Sequence, residues 1–158
     1  MPLTAAHTIH RAHKHFGWDN AFPPVHTIAP GDVLEFETTD ASAGQLSPSS
    51  TVADIETLDF GLINPVTGPI YIDGAKPGDA LKVTIGAFSG SGWGWTANIP
   101  GFGLLADDFP DPALHLWSFD ANGSEPAVFG PAGRVPLKPM CGTMGVALRE
   151  PGLHSIVP

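Results

Sequence analysis

A turn-and-strand phrase occurs twice in this chain and constrains its fold more than any other feature. Pro-Gly-Asp is followed by alternating apolar and polar residues at 30–37 and again at 77–84. Proline presets φ at the first corner of a turn, and glycine accepts the positive φ of the second corner. A period of two places successive side chains on opposite faces of a strand. Each phrase therefore predicts a tight turn that leads into a half-buried strand.

Several other stretches are also short and β-like, and turn residues separate them. Glycine and proline number 19 and 17 among 158 residues, a share that disfavours a helical bundle. The sequence of residues 51–63 is compatible with a short helix or with an irregular strand. The sequence predicts one all-β domain over residues 1–158, an antiparallel β-sandwich of jelly-roll type with Gly- and Pro-rich loops and little helix. Its predicted strands and β-like runs cover residues 28–39, 69–72, 81–88, 127–129, 134–137 and 140–148, and residues 113–119 form an apolar stretch between Pro112 and the turn Asn122-Gly123.

The charge and the cysteine content exclude some classes of partner and indicate a compartment. The net charge of −9 at pH 7 argues against nucleic acid, because binding to phosphates needs a basic surface. The single cysteine, Cys141, cannot form an internal disulfide, which is usual in a reducing compartment. No stretch has the length of a transmembrane helix or the pattern of a signal peptide. A cytoplasmic protein without a membrane partner is therefore expected.

The first candidate site is a histidine-rich stretch near the N-terminus. Residues 1–27 hold five of the seven histidines, and neutral imidazole and carboxylate are good ligands for Zn²⁺. In an extended segment His13 and His15 would share one face, and Asp19 follows a glycine that can turn the chain back. The same composition is also typical of an exposed arm whose histidines titrate freely in solvent. Spacing does not separate these two interpretations.

A glycine loop at residues 89–95 carries the second candidate group, Trp93 and Trp95. Glycines let the backbone approach a ligand and tryptophans can wall a pocket, but a β-turn whose aromatic side chains plug a core has the same pattern. Among the acids at strand ends, Asp73 could serve as a general base or a metal ligand, although Asp-Gly is also an ordinary turn dipeptide. Cys141 is interpreted as inert packing, because no activating base is near it in the sequence.

Several phrases, taken in order, resemble the acetamidase/formamidase family. Their order and approximate spacing agree with the family from about residue 8 to the last residue. Each phrase is weak alone, whereas their ordered co-occurrence is specific. They are Trp18-Asp19-Asn20, Pro23-Pro24, Pro30-Gly31-Asp32, Gly44-Gln45, the stretch from Thr67 to Asp79, Gly92-Trp93-Gly94, Pro100-Gly101-Phe102-Gly103 and Gly142-Thr143-Met144-Gly145-Val146-Ala147.

This resemblance implies a β-rich enzyme that hydrolyses short aliphatic amides, such as formamide and acetamide, to a carboxylate and ammonia. Members of the family are longer, and their chains continue with acidic and histidine-containing stretches that this sequence lacks. The resemblance therefore implies the N-terminal part, or one subunit, of a metal-assisted amidase that is inactive without the second half.

The resemblance also implies roles for individual residues. Asp19 follows the family's tryptophan at a position that holds Asp or His, and His15 lies a few residues before it. Both are expected to bind a divalent metal, with zinc as the expected ion. Gln45 matches the family's Gly-Gln, and Asp73 matches the acid before Gly-Ala, so both are expected to be catalytic. The two tryptophans of the glycine loop are expected to contact the substrate.

Different partners and functions stay open at this point. The leading hypothesis pairs the chain with a second polypeptide that carries the missing half, or with another copy of itself. The contact is expected on apolar surface near the C-terminus, where Leu153 and Ile156 precede Val157-Pro158. The alternative is a non-catalytic β-sandwich module that binds a small ligand or a partner chain. A cupin-like metal-binding barrel is a third interpretation, and the missing histidine and glutamate spacing within strands counts against it.

Overall fold

Short strands make up most of the regular structure of the chain, of which the computed structural model describes residues 4–123 and 125–156. These residues contain one α-helix, α1 (Val52–Glu56), and three 3₁₀ turns, Arg11–His13, Phe60–Leu62 and Gly130–Ala132. The prediction of a strand-rich chain with little helix is confirmed. No helix in the described ranges is long and apolar enough to cross a bilayer. The strands are β1 (His7–Ile9), β2 (Lys14–His15), β3 (His26–Ile28), β4 (Leu34–Phe36), β5 (Val66–Thr67), β6 (Ile70–Ile72), β7 (Trp93–Asn98), β8 (Ala113–Ser118), β9 (Ala127–Phe129) and β10 (Gly133–Val135).

The strands pair two by two, and the pairs differ in direction. β1 pairs with β4 and β3 with β6 in parallel, whereas β2–β5, β7–β8 and β9–β10 are antiparallel. A parallel pair cannot be closed by a hairpin, and the chain between β1 and β4 includes two further strands. The antiparallel jelly-roll sandwich is therefore not confirmed, because the sheets of the described residues are two-stranded and mixed.

The chain divides into two compact units, each assembled from separate stretches of sequence. The first comprises Met1–Ala43, Gly61–Gly86 and Gly142–Pro158, and the second comprises Gly44–Phe60 and Ala87–Cys141. Strands β1 to β6 belong to the first unit, and α1 with β7 to β10 belongs to the second. The single domain expected from the sequence stays a prediction.

Two copies of the tripeptide His-Thr-Ile form strands of the first unit whose last residue is buried. β1 and β3 both have this sequence, and their isoleucines, Ile9 and Ile28, are buried. Val66 in β5 is buried as well. The rings of His7 and His26 stack with their centroids 4.7 Å apart. Branched aliphatic side chains, which suit a pleated strand, thus make up the core of this unit.

Both Pro-Gly-Asp phrases lie in the first unit and build the same turn. Gly31 and Gly78 have φ values of 97° and 99°, in the left-handed region that only glycine adopts without a steric penalty. In each copy the aspartate carboxylate accepts a hydrogen bond, 2.8 Å long, from the backbone N–H three residues earlier. The predicted turn is present in both copies.

The second unit is organised around a β-hairpin. β7 and β8 pair through six residues each, from Trp93 opposite Ser118 to Asn98 opposite Ala113, and β9 with β10 forms a shorter hairpin. The α1 helix begins at a capping box, in which the Asp54 side chain accepts a hydrogen bond from the Thr51 N–H at 2.6 Å. The stretch 51–63 therefore starts as a short helix. The buried apolar residues in the described part of this unit include Leu46, Ile55 and Ala127.

Some strand predictions are wrong. Residues 81–88 and 140–148 form no strand, because no other segment of the described residues pairs with them. The strand expected over 28–39 is reduced to β4, which the Pro-Gly-Asp turn separates from β3. The tryptophans of the expected glycine loop lie instead at the start of β7. Val157-Pro158, at the end of the expected C-terminal contact surface, lies outside the described residues.

Candidate functional site

A tight turn at residues 15–22, which we name the Trp18 turn, contains two of the predicted site residues. Its first residue lies in β2 and pairs with Val66 of β5. Gly17 is buried, and a Cβ at that position would overlap the Leu153 side chain and lie 3.0 Å from the backbone O of His154. Glycine permits this close approach of two backbones. The C-terminal part of the first unit therefore packs directly on the Trp18 turn.

Hydrogen bonds fix the same contact. The N–H of Trp18 donates to the carbonyl O of His154, and the N–H of His154 donates back, both at 2.9 Å. The Asn20 side chain donates to the carbonyls of residues 148–149 at 3.0 and 3.1 Å. A Cβ on Gly145 would lie 3.0 Å from the Trp18 indole. The Trp-Asp-Asn and Gly-Thr-Met-Gly phrases, which are distant in the sequence, thus meet in the structure.

His15 is held in one orientation by the Trp18 turn. Its Nδ1 lies 2.7 Å from the carbonyl O of Gly17. A carbonyl only accepts hydrogen bonds, so Nδ1 carries a proton, and in the neutral ring Nε2 keeps its lone pair. The ring is half-buried and makes edge contacts with Trp18 and Phe22, at centroid distances of 6.4 and 5.1 Å. Nε2 makes no hydrogen bond within the described residues, so its lone pair can bind a metal ion.

Asp19 is also half-buried in the Trp18 turn. One carboxylate oxygen, Oδ1, accepts a hydrogen bond from the Ala21 N–H at 2.8 Å, and the Phe22 N–H donates to the Asp19 carbonyl at 3.3 Å. This is the local side-chain-to-backbone bond that aspartate makes in turns. The second oxygen, Oδ2, has no partner among the described residues. The structure therefore places an oriented imidazole and an oriented carboxylate in one short turn.

The histidines of the N-terminal stretch differ in their exposure and in their hydrogen-bond partners. His13 lies in a 3₁₀ turn and is exposed, whereas the Nδ1 of His10 lies 3.3 Å from the Glu37 carboxylate. The hydrogen bond from the Arg11 N–H, together with the His10 side chain, lowers the pKa of Glu37 below its ordinary value. His15 is thus the member of this group that is both partly buried and fixed by a hydrogen bond to the backbone.

The two predicted catalytic residues have different surroundings. Asp73 follows β6 in a turn of the first unit and is exposed, and its side chain makes no hydrogen bond within the described chain. Gln45 belongs to the second unit, where its amide donates to the Asp59 carbonyl at 3.1 Å and accepts from the Asp59 N–H at 2.7 Å. This pair of bonds ties residues 44–60 together. The catalytic roles of both residues stay predictions.

The two tryptophans proposed to contact substrate lie in the second unit, on β7. Trp93 and Trp95 are half-buried and lie opposite Ser118 and Leu116 of β8. Because they are two residues apart on one strand, their side chains leave the sheet on the same face. Their role in substrate binding stays a prediction.

The described residues do not complete a metal site by themselves. They contain no group of three or more His, Cys, Asp or Glu side chains placed to hold a metal ion. Nε2 of His15 and Oδ2 of Asp19 have the right chemistry for two ligands of a divalent ion. Structural and catalytic zinc sites use at least three protein ligands, so further ligands would have to come from elsewhere.

His115 is a candidate that the sequence analysis missed. Its Nε2 atom is buried and has no hydrogen-bond partner in the described structure. The ring lies edge-on to Trp117 and Phe129, at centroid distances of 4.4 and 4.7 Å. The same histidine lines a cavity of about 350 Å³ together with Thr96, Ala97, Asn98, Ala113, Leu114 and Phe129. The feature of the sequence that could have identified His115 is its position within an apolar stretch, two residues before Trp117.

Comparison with known proteins identifies the family. The model of the Acetamidase/Formamidase family matches residues 3–154. The chain belongs to this family. It is 32% identical over 111 residues to the formamidase of Methylophilus methylotrophus, a match that covers 66% of this chain and 27% of that protein. With the acetamidase of Mycolicibacterium smegmatis it shares 30% identity over 118 residues, which cover 66% and 29% of the two chains. The family resemblance is confirmed.

Solved structures of the family agree with the fold. A predicted acetamidase/formamidase from Thermoanaerobacter tengcongensis superposes with a TM-score of 0.82 at 30% identity, over 94% of this chain and 48% of that one. The acetamidase of Bacillus halodurans gives a TM-score of 0.74 at 25% identity, over 93% and 48%. The chain thus spans less than a third of these curated relatives and about half of these solved structures.

Proposed function

We propose that this chain is part of an amidase that hydrolyses short aliphatic amides, such as formamide and acetamide, to carboxylate and ammonia. Membership in the Acetamidase/Formamidase family supports the reaction class. The observation that carries the site is the Trp18 turn, where His15 and Asp19 each keep one ligand atom without a hydrogen bond in the described chain. Hydrogen bonds to the backbone of residues 148, 149 and 154 hold this turn in place, and Gly145 of the Gly-Thr-Met-Gly phrase lies close to the Trp18 indole.

Amide hydrolysis needs a proton acceptor for water, a proton donor for the leaving amine and a positive group near the carbonyl oxygen. His15 and Asp19 would hold a divalent ion, zinc in this proposal, which when bound polarises the amide carbonyl and acidifies water. The Asp73 carboxylate, exposed and without a hydrogen-bond partner among the described residues, is the proposed proton acceptor. In the second unit, Gln45, whose amide is hydrogen-bonded to the Asp59 backbone, is the second proposed catalytic residue, and Trp93 and Trp95 are the proposed substrate contacts.

The proposed enzyme is incomplete in this chain. The part that matches covers only 27% of the Methylophilus methylotrophus relative and 48% of the Thermoanaerobacter tengcongensis structure, and the described residues offer fewer than three metal ligands in one place. We therefore expect no turnover by the 158-residue chain alone. Activity is expected with a second polypeptide that carries the remaining part of the family fold or, as the alternative, with another copy of this chain. The jelly-roll arrangement and a cytoplasmic location belong to the same proposal.

The test is a chimera in which this chain replaces the matching half of the Thermoanaerobacter tengcongensis relative. Ammonia release from formamide and acetamide is expected, and His15→Ala and Asp19→Ala should each lower kcat/KM by at least about 100-fold, as loss of a metal ligand does. His13→Ala is the matched control, because His13 is exposed in the same stretch. A folded chimera without turnover would contradict the reaction, and equal activity of all three variants would contradict the site.

The cavity beside His115 favours a second candidate function, a module that binds a small ligand without catalysis. Its lining is largely apolar, with the unpaired Nε2 of His115 buried at its side. Two results together would support binding over hydrolysis. A small ligand should raise the unfolding temperature of the chimera but not that of its His115→Phe variant, and the chimera should release no ammonia from amides.

A further inference from the structure

The second Pro-Gly-Asp phrase leads into a segment, residues 80–86, that has the sequence of a strand but no strand partner among residues 4–123 and 125–156. In the first copy the strand after the turn is β4, which pairs in parallel with β1. The N–H of Ala6 donates to the Val33 carbonyl at 2.7 Å, and the N–H of Glu37 donates to the Ile9 carbonyl at 3.0 Å. In the second copy, residues 80–86 take part in no hydrogen bond within the described part of the chain.

The apolar side chains of residues 80–86 are exposed to solvent, in a segment whose backbone makes no hydrogen bond within the described chain. Leu81, Val83 and Ile85 are 53%, 52% and 48% exposed, although alternation places them in one row. Unpaired backbone groups beside an apolar row are the features that let a strand add to an edge. A soluble chain rarely leaves such a row uncovered unless another polypeptide covers it.

The layout of the first unit specifies how a partner would pair. β3 and β6, the strands that precede the two turns, pair with each other in parallel, so the two strand–turn repeats run in the same direction. In the first repeat the strand after the turn then receives β1, also in parallel and over three residues. The corresponding residues of the second repeat, Leu81 to Val83, would receive a three-residue strand in the same way.

The residue at the centre of the pair specifies the chemistry of the partner. In the first copy Glu35 occupies this place and its carboxylate accepts a hydrogen bond from the Thr8 hydroxyl of β1 at 3.1 Å. In the second copy the place belongs to Lys82, which can only donate. The partner strand should therefore carry an acid or another acceptor opposite Lys82, between two apolar residues that cover Leu81 and Val83.

We propose that residues 80–86 are the acceptor edge for a parallel strand from the part of the family fold that lies outside this chain. About half of each of the two solved relatives has no counterpart here, which supplies a candidate of the right size. This inference rests on the proposed incompleteness of the enzyme, but it concerns the site of assembly and not the chemistry.

The experiment is co-expression of the 158-residue chain with the unmatched half of the Thermoanaerobacter tengcongensis relative, followed by amide hydrogen exchange. Residues 80–86 should exchange rapidly in the chain alone and at least about tenfold more slowly in the complex. Thr84→Pro removes the N–H that corresponds to the Glu37 donor, and should weaken the complex by about tenfold or more. Thr84→Ala keeps that N–H and should bind like the parent chain.

Each other result overturns the inference. Binding without protection of residues 80–86, or equal binding by both Thr84 variants, would place the contact elsewhere and leave the proposed amidase function intact. Protection of residues 80–86 in the chain alone, with a doubled mass, would identify a second copy as the occupant. No complex at all would also overturn the assembly edge, whereas the activity of the single-chain chimera reports separately on the proposed function.

Discussion

The Pro-Gly-Asp phrase at residues 30–37 and its copy at 77–84 build the same turn, but only the first leads into a paired strand. The turns share their glycine φ values, 97° and 99°, and their aspartate hydrogen bonds of 2.8 Å. After the turn, Leu34–Phe36 is hydrogen-bonded to β1, whereas residues 81–85 have no partner in the described chain. The turn is thus local in origin, and the strand depends on a distant segment.

The strand that pairs with the first copy also contributes a buried side chain to the core of the first unit. The partner of the first copy, β1, places Ile9 in the core with none of its surface exposed. The apolar side chains of the two copies are themselves similarly open, with Phe36 42% exposed in the first and Leu81, Val83 and Ile85 53%, 52% and 48% exposed in the second. Burial of apolar surface provides most of the stability of a fold, so the first copy contributes through Ile9 of the strand that it pairs, and the second copy has no such partner among the described residues.

The largest expected effect is a difference in unfolding free energy between two substitutions, one in β1, which pairs with the first copy, and one in the unpaired segment of the second copy. Ile9→Ala removes buried methyl groups and should lower the free energy of unfolding by about 3 kcal/mol. Ile85→Ala, at a residue 48% exposed, should change it by less than about 0.5 kcal/mol. Urea denaturation of both variants measures the difference. Equal losses would mean that residues 80–86 are already packed in the isolated chain.

The turn glycines should show a smaller contrast. Gly31→Ala forces a Cβ into the left-handed region, at φ 97°, and should lower the free energy of unfolding by about 1–2 kcal/mol. Gly78→Ala introduces the same strain, but the unpaired segment after it can relax the turn, so less than about half of that loss is expected. Thermal unfolding compares the two variants, and a loss as large at Gly78 would contradict the assigned freedom of the second copy.

The side-chain bond across the first pair should have a weaker effect. Thr8→Val removes the hydroxyl that donates to Glu35 at 3.1 Å on an exposed surface, so we expect a loss of about 0.5 kcal/mol. Glu35→Gln, alone and combined with Thr8→Val, completes a double-mutant cycle. Strictly additive effects in urea denaturation would show that this bond does not contribute to the pairing of β1 with β4.

The smallest expected effect is a pH dependence at Glu37, where the first copy ends. Its pKa is lowered, chiefly by the Arg11 N–H and then by the His10 side chain. A carboxylate with a lowered pKa stabilises the fold above its unfolded pKa, and that stability is lost as pH falls through the folded value. Glu37→Gln should therefore be less stable than the parent near neutral pH, and the difference should vanish in acid. A constant difference from about pH 7 to about pH 3 would contradict this cause.

The candidate site shows the same division between local and distant causes. Asp19 and the residues around it were recognisable from the Trp-Asp-Asn phrase, and the turn that orients Asp19 is local. The approach of the C-terminal segment was not predictable, because it depends on Gly17 and Gly145 lying against residues more than a hundred positions away. His115 was overlooked for a similar reason, since its significance lies in a buried nitrogen without a partner in the described chain and in a cavity.

The sequence by itself determined the strand-rich character, the two Pro-Gly-Asp turns and the family, because turn geometry and short phrases are encoded in neighbouring residues. Only the tertiary structure decided which of the β-like segments became strands and in which direction they paired. The alternation in residues 81–88 is as regular as that in β4, yet no strand forms there. The physical reason is that a strand is completed by hydrogen bonds to a second segment, and a local pattern cannot supply that segment.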